Sequence, residues 1–304
     1  MNAKPIRYLV LFVTGACNLK CTYCYATDIP TATMPLSIAA HAVRKAATSG
    51  NRFHVQLTGG EPTLAPERVE QIVSMIRGDR LNATIGIQTN GTLLSDEWID
   101  FFIRYQVETG ISIDGIEMVH DAQRGMFKET LRGLTRLMER QVPCRVTTVV
   151  TAKSAPYLDK LILMLAGYPN VRGVGLDLLT MKGGAVANDV SPVLPEALGD
   201  AVKRMRSALS FINRSRSMPL TVRELASNAS SVKGCHASQG ESLAVLPDGR
   251  RYPCSQTAGD PAFELNVQGN GIIGNGPDCP SRTHYNCGEN LPLCRCFEPE
   301  RIPQ

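Results

Sequence analysis

The sequence predicts an α/β fold: a partial (β/α)6 barrel of the TIM type over residues 1–225, followed by a small cysteine-rich extension over residues 226–304. Three observations carry this. Strand-like and helix-like segments alternate from residue 6 to about residue 215, and six βα units suit a parallel sheet with helices packed against it. The strands are continuous apolar or β-branched runs, such as Val-Thr-Thr-Val-Val at 146–150, as parallel strands covered on both faces require. The composition then changes: residues 225–304 hold 9 Gly and 8 Pro, and residues 226–304 hold six of the ten cysteines. So short and turn-rich a segment builds no large core and needs a staple, for which cysteine-bound metal is the natural candidate.

In chain order, the expected strands are 6–13, 53–57, 83–88, 108–113, 144–151 and 171–179. The expected helices are 36–49, 66–77, 95–105, 128–140, 156–166 and 195–214. Ser37 is a candidate cap for the first helix, and Ser95, followed by Asp96 and Glu97, for the third. The run 8–13 is too short for a signal-peptide core, lacks a cleavage site and reads as a buried first strand. Chemistry in such a barrel sits at the C-terminal ends of the strands. In the tail, Cys235 and Cys254 flank an expected hairpin whose second arm is read as 246–254.

Composition narrows the function. Hydrophobic residues make up 43% and charged residues 20% of the 304, an ordinary soluble balance, and no stretch is long and apolar enough to span a bilayer. A net charge of +4 without a concentrated basic stripe argues against nucleic acid. Lys203-Arg204-Met205-Arg206 reads as a solvated helix face. The expectation is a cytoplasmic protein without nucleic-acid or membrane partners. Ten cysteines in that setting point to metal or catalysis rather than disulfides.

The most informative motif is Cys17-Asn18-Leu19-Lys20-Cys21-Thr22-Tyr23-Cys24-Tyr25, a C-x3-C-x2-C spacing. A [4Fe–4S] cube takes thiolate ligands, normally four, so three leave one iron open to bind and activate a small molecule. A zinc knot or a redox disulfide pair is the competing reading. Zinc knots usually place a second Cys or His pair within a few tens of residues, and here the next cysteine is Cys144. Cys144 itself, at the start of a buried strand, reads as a small hydrophobe.

This motif after a first strand resembles the signature of the radical S-adenosylmethionine (SAM) enzymes. The resemblance implies that the open iron chelates SAM, and that the reduced cluster cleaves it to methionine and a 5′-deoxyadenosyl radical. Leu57-Thr58-Gly59-Gly60-Glu61-Pro62 ends the second strand. Its glycines let a ligand approach the backbone closely, and its carboxylate can receive an ammonium. It resembles the family motif that holds the amino group of SAM.

Ile87-Gln88-Thr89-Asn90-Gly91 and Ile111-Ser112-Ile113-Asp114-Gly115 put polar residues and a glycine at the rim, or serve only as strand-to-helix turns with a capping Asn and Asp. With His120-Asp121-Ala122-Gln123-Arg124-Gly125, the second matches a family pattern that lines the SAM site. The resemblance implies that Ser112 and Arg124 contact SAM and that Tyr23 packs near its adenine. Tyr25, Gly59, Gly60, Glu61 and Asn90 complete the expected cofactor-binding set. His120 reads as a capping or core histidine. No catalytic side chain is assigned.

The tail set is Cys235, Cys254, Cys279, Cys287, Cys294 and Cys296. Its opening resembles the SPASM or twitch extension, which binds auxiliary [4Fe–4S] clusters, but the later spacing departs from a full SPASM tail. One or two auxiliary clusters are expected, using at least Cys235 and Cys254. Zinc is the alternative, because thiolates alone do not choose the metal.

The expected substrate is a ribosomally made peptide undergoing cross-linking, thioether formation or epimerisation. A small molecule of the aminosugar type is the alternative, and a metal-binding scaffold the non-enzymatic one. Sulfatase maturases of this family carry an Asp directly after the cysteine matching Cys254. Ser255 stands there, which argues against that activity. An electron donor such as flavodoxin or ferredoxin is implied. With the first strand starting near residue 6, leader recognition falls to a separate protein or to the barrel rim.

Overall fold

The computed structural model describes residues 4–222, 236–237 and 239–265. In chain order the elements are β1 (Tyr8–Thr14), α1 (Leu36–Ala47), β2 (Phe53–Gly59), α2 (Pro66–Gly78), β3 (Ala83–Thr89), α3 (Asp96–Tyr105), β4 (Val107–Ser112), α4 (Glu117–Gln123), α5 (Phe127–Glu139), β5 (Cys144–Val150), α6 (Leu158–Met164), β6 (Val171–Leu178), α7 (Gly184–Ala187), α8 (Pro195–Asn213), β7 (Thr221–Val222), β8 (Ser242–Val245) and β9 (Arg251–Tyr252). They form one sheet in the order β7-β6-β5-β4-β3-β2-β1-β8-β9. Every pair is parallel except β8–β9. This is the partial barrel that the alternating pattern predicts. All six expected strands are present, and each of the six expected helical segments holds one of the helices α1, α2, α3, α5, α6 and α8.

All seven residues of β1 are buried, which explains the unbroken apolar run. The outer face of the sheet packs against the helices in one core, with Leu9, Leu11, Val55, Leu57, Ile85, Ile87 and Val146 meeting Val43, Ile72, Val73, Leu134 and Met205. On the other face of β1, Tyr8, Val10 and Phe12 pack with Ile29, Ala244, Leu246, Tyr252 and Ala258. The central strands turn polar groups inward. Gln88 Nε2 donates to Ser112 Oγ at 2.9 Å, and Thr147 Oγ1 donates to Gln88 Oε1 at 3.3 Å. Cys144 opens β5, is buried and receives a contact from Asn170 Nδ2 at 3.5 Å, as a structural cysteine should. Burial pushes its thiol up to about 12.

Three local expectations need correction. Pro35, not Ser37, stands at the start of α1, and Ser37 lies inside its first turn. The segment around His120 forms α4, a seven-residue helix too short to show a period in the sequence. In the tail hairpin the first arm is β8 and the second is only Arg251–Tyr252. Residues 246–250 make the turn because Asp248 Oδ1 accepts from the Arg250 N–H at 3.1 Å. β8 also joins the main sheet, pairing in parallel with β1.

Candidate functional site

The loop after β1 carries the three cysteines and is tied to the strand ends around it. Gly15 N donates to Pro30 O at 2.9 Å and Met34 N to Val13 O at 2.7 Å, which closes the loop on its own strand. Gly60 N donates to Thr14 O at 2.7 Å and Glu61 N to Ala16 O at 2.8 Å, so the Gly-Gly-Glu turn lies against the start of the cysteine loop. Gly59 has φ +155°, and a Cβ on Gly60 would stand 2.3 Å from Ala16 O. Neither position tolerates a side chain at this approach. Farther along, Thr22 N donates to Gln123 O at 2.8 Å, and Gly184 N to Cys24 O at 2.8 Å. The loop is thus pinned at both ends, by β2 on one side and by α4 and α7 on the other.

Cys17 is exposed, while Cys21 and Cys24 are half-buried. Burial pushes the Cys21 thiol up to about 11, the nearby Arg124 guanidinium opposes this, and Cys24 and Cys17 bear on it electrostatically. Burial also raises Cys17, against the Leu19 N–H that reaches its Sγ at 3.4 Å. Among the described residues no three His, Cys, Asp or Glu side chains converge on one ion. A cube spreads its thiolates over separate irons and needs no such convergence. Three thiols on one anchored loop beside a guanidinium fit that donor set, and metal binding deprotonates a coordinating thiol outright.

Glu61 is 1% exposed, and both of its oxygens accept from the protein. Oε1 receives Thr63 N at 3.1 Å, Thr63 Oγ1 at 2.6 Å and Thr89 Oγ1 at 2.7 Å, while Oε2 receives Asn90 N at 2.7 Å. Burial raises its carboxyl above the usual range, and these donors hold it back. The side chain expected to receive an ammonium therefore also clamps the end of β2 to the end of β3. Asn90 extends the clamp. Its Nδ2 donates to Asn18 Oδ1 at 2.9 Å, and its Oδ1 accepts from Thr92 N and Oγ1. The side chain of Asn18 donates to Thr92 Oγ1 at 2.8 Å, closing a small network over the rim.

A second buried hub centres on Asp114, just past β4 and wholly buried. Oδ2 accepts from the Tyr23 hydroxyl, from Gln123 Nε2 at 3.2 Å and from Arg124 Nε at 2.9 Å. Oδ1 accepts from Val149 N at 3.0 Å. The Arg124 side chain is 10% exposed, lies with Cζ 5.3 Å from the Tyr23 ring centroid, and points its outer nitrogen at Cys21 Sγ, 3.9 Å away. Burial, the largest single influence, lowers the Arg124 guanidinium, but Asp114, Tyr23 and Cys21 together raise it by more. His120 is a core residue, as expected. Its Nδ1 accepts from Asp114 N at 3.4 Å, its ring packs on Phe127, and burial lowers it to about 4.

The structure thus brings Cys17, Cys21, Cys24, Tyr23, Gly59, Gly60, Glu61, Asn90, Ser112 and Arg124 to one end of the sheet. Tyr25 turns elsewhere and packs against the cluster of Tyr8, Ala258 and Tyr252. Burial raises its hydroxyl, with Cys24, Cys254 and Asp177 adding to the effect and a hydrogen bond to Ser255 opposing it. Asn18, Asp114 and Gln123 belong to the site but not to the sequence-derived set. Asp114 was signalled by its place between a strand end and Gly115, where a capping role accounts for it equally well. Cys254 is buried at the start of the short turn Ser255–Thr257. Cys235, Cys279, Cys287, Cys294 and Cys296 lie outside the described residues. No helix of the described residues is long and apolar enough to cross a membrane.

Comparison with known proteins agrees with this geometry. The Radical SAM superfamily model matches residues 11–153. An uncharacterized protein of Methanocaldococcus jannaschii is 29% identical over 262 residues, covering 84% of this chain and 86% of that one. A cysteine-type anaerobic sulfatase-maturating enzyme of Clostridium novyi is 28% identical over 178 residues, covering 52% of this chain and 47% of the enzyme. This chain therefore matches about half the length of that relative. The solved structure of native anSMEcpe with bound AdoMet and a peptide has a TM-score of 0.72 at 22% identity, covering 86% of this chain and 77% of that one, which shows a shared fold. The anchored cysteine loop, the Gly-Gly-Glu turn fastened to it and the match across both show that the chain carries a Radical SAM domain over residues 11–153, the domain of a superfamily that works with SAM and a [4Fe–4S] cluster.

Proposed function

We propose that this enzyme cleaves SAM reductively at Cys17, Cys21 and Cys24 and uses the 5′-deoxyadenosyl radical to abstract hydrogen from a ribosomally made peptide, leaving a cross-link, a thioether or an epimerised residue. The observation that carries the SAM chemistry is the pair of backbone bonds from Gly60 and Glu61 to the cysteine loop, which fixes two family motifs in one place. When bound, cluster and SAM supply the electron transfer and the radical, and the protein supplies orientation and exclusion of side reactions. In this reading Gly59 and Gly60 leave room at the backbone for the methionyl end of SAM. Glu61 faces its ammonium with the acceptor capacity that Oε2 retains. Ser112 and Arg124 turn donors toward the carboxylate, and Tyr23 walls the adenine side.

A peptide substrate is supported by the sulfatase-maturating relative and by the peptide in the fold neighbour. Ser255, in place of an acidic residue after Cys254, sets this chain apart from sulfatase maturation. An aminosugar-type small molecule is the second reading, which the twitch-like opening of the tail fits about as well as it fits a peptide. A flavodoxin or ferredoxin would supply the electron, and a separate protein or the barrel rim would recognise the peptide. Residues 226–304 would form the auxiliary unit, with one or two clusters on Cys235, Cys254, Cys279, Cys287, Cys294 and Cys296.

If the product is oxidised, Cys235 and Cys254 would hold an auxiliary cluster able to take up the remaining electron. The Cys235→Ala/Cys254→Ala variant should then still form 5′-deoxyadenosine but yield no product that has lost two hydrogens, by mass spectrometry of the anaerobic reaction. Product at the wild-type level would remove that role from the tail. Turnover of an aminosugar but of no peptide presented with its leader would replace the peptide reading by the second one.

A further inference from the structure

We propose that Arg124 sets the reduction potential of the cluster by donating a hydrogen bond to the sulfur of Cys21, before SAM arrives. The inference rests on the reading that Cys17, Cys21 and Cys24 ligate iron.

The geometry begins with Asp114. This carboxylate is wholly buried and takes the Nε–H of Arg124 at 2.9 Å. Its other acceptor positions are filled by Tyr23, Gln123 and the Val149 N–H. A carboxylate held by four donors from three parts of the fold cannot swing, so the guanidinium it grips has one orientation. The Tyr23 ring under Cζ, 5.3 Å from the centroid, fixes the plane from below. That orientation sends one terminal nitrogen to Cys21 Sγ at 3.9 Å, within range of a hydrogen bond to sulfur. The guanidinium is planar and permanently charged, and its five donors form a rigid fork. One donor serves Asp114 and one serves Cys21, which leaves others for a ligand.

Hydrogen bonds to cluster sulfurs and local charge are among the main determinants of iron–sulfur potentials. Partners outside the ligands themselves orient and tune a metal site. Reduction adds one negative charge to the cluster. A cation donating to a ligand sulfur stabilises the reduced state more than the oxidised one, so it raises the potential. Asp114 partly offsets this charge, but it takes the Nε–H while a terminal nitrogen of the guanidinium is what reaches the sulfur. Contact with SAM does not require the Cys21 bond, and the Cys21 bond does not require SAM. The two roles therefore separate in an experiment without SAM.

The test is an EPR-monitored redox titration of the reconstituted full chain without SAM, comparing wild type with Arg124→Gln and Arg124→Lys at equal iron and sulfide content. The N-terminal signal is the one absent from the Cys17/Cys21/Cys24→Ala variant. The result expected is a tenfold or greater loss of reduced cluster at fixed potential for Arg124→Gln, about 59 mV for a one-electron couple. Arg124→Lys, which keeps a cation without the fork, should fall between. A potential unchanged in Arg124→Gln, or equal to wild type in Arg124→Lys, would overturn the proposal. If Arg124→Gln assembles no N-terminal cluster, Arg124→Lys decides by the same criterion. Absence of the N-terminal signal from wild type itself would instead take down the iron-ligand reading, and this inference with it.

Discussion

Replacing Asp114 by alanine should cost the folded state about 3–5 kcal/mol, the usual penalty for removing one partner of a buried ion pair. That is a large share of the roughly 5–15 kcal/mol that holds a typical domain together. The loss arises because the Arg124 guanidinium keeps its charge and stays inside. Tyr23 OH, Gln123 Nε2 and the Val149 N–H lose their acceptor at the same time. The double variant Asp114→Ala/Arg124→Met removes the stranded charge and should be less destabilised than Asp114→Ala alone, a coupling that a double-mutant cycle reads directly. Chemical denaturation of the four proteins checks this. A cost below about 1 kcal/mol for Asp114→Ala, the range of an exposed pair, would show that the hub is not a buried cornerstone of the site.

Glu61→Gln should lower both stability and SAM affinity. An amide offers one acceptor oxygen where the carboxylate offers two, and here donors approach both. Whichever way the amide turns, its NH2 group meets a donor, either Asn90 N–H or the Thr63–Thr89 set. A buried donor left without an acceptor costs about 1–3 kcal/mol. The expected outcome is a fall in the unfolding midpoint together with a tenfold or greater weakening of SAM binding, because the Gly59–Gly60 turn and Asn90 lose their common tie. Weakened SAM binding with an unchanged midpoint would make Glu61 a ligand contact alone and remove its role as a clamp.

The difference between these two carboxylates shows how far the sequence can be read. Glu61 stands out because two glycines precede it at a strand end, one strand after a cysteine triad. Its partners Thr63, Thr89 and Asn90 cannot be paired with it from sequence, since two of them arrive from the next βα unit. Asp114 shows even less. An Asp-Gly after a strand is ordinary turn chemistry, and its partners come from residue 23 and from β5 as well as from α4. The strands were legible for a physical reason: parallel strands covered on both faces are rich in apolar and β-branched residues, as β1 and β5 are. α4 was not, because seven residues give no helical period and its register is set by tertiary bonds such as that between His120 and Asp114. The tail hairpin is legible as a turn, but the place of β8 in the main sheet is not. Its pairing with β1 spans more than 230 residues of sequence, and local pattern carries no such information.

The most direct test of the central claim is the anaerobic iron and sulfide content, with 5′-deoxyadenosine formation, of reconstituted wild type and of the Cys17/Cys21/Cys24→Ala variant. If the anchored loop holds the SAM-cleaving cluster, the variant loses about four irons per chain, one cube, and all SAM cleavage. Auxiliary iron, where present, remains. Equal iron in the two proteins, or 5′-deoxyadenosine from the variant, would contradict the assignment of Cys17, Cys21 and Cys24 as the site of the reaction.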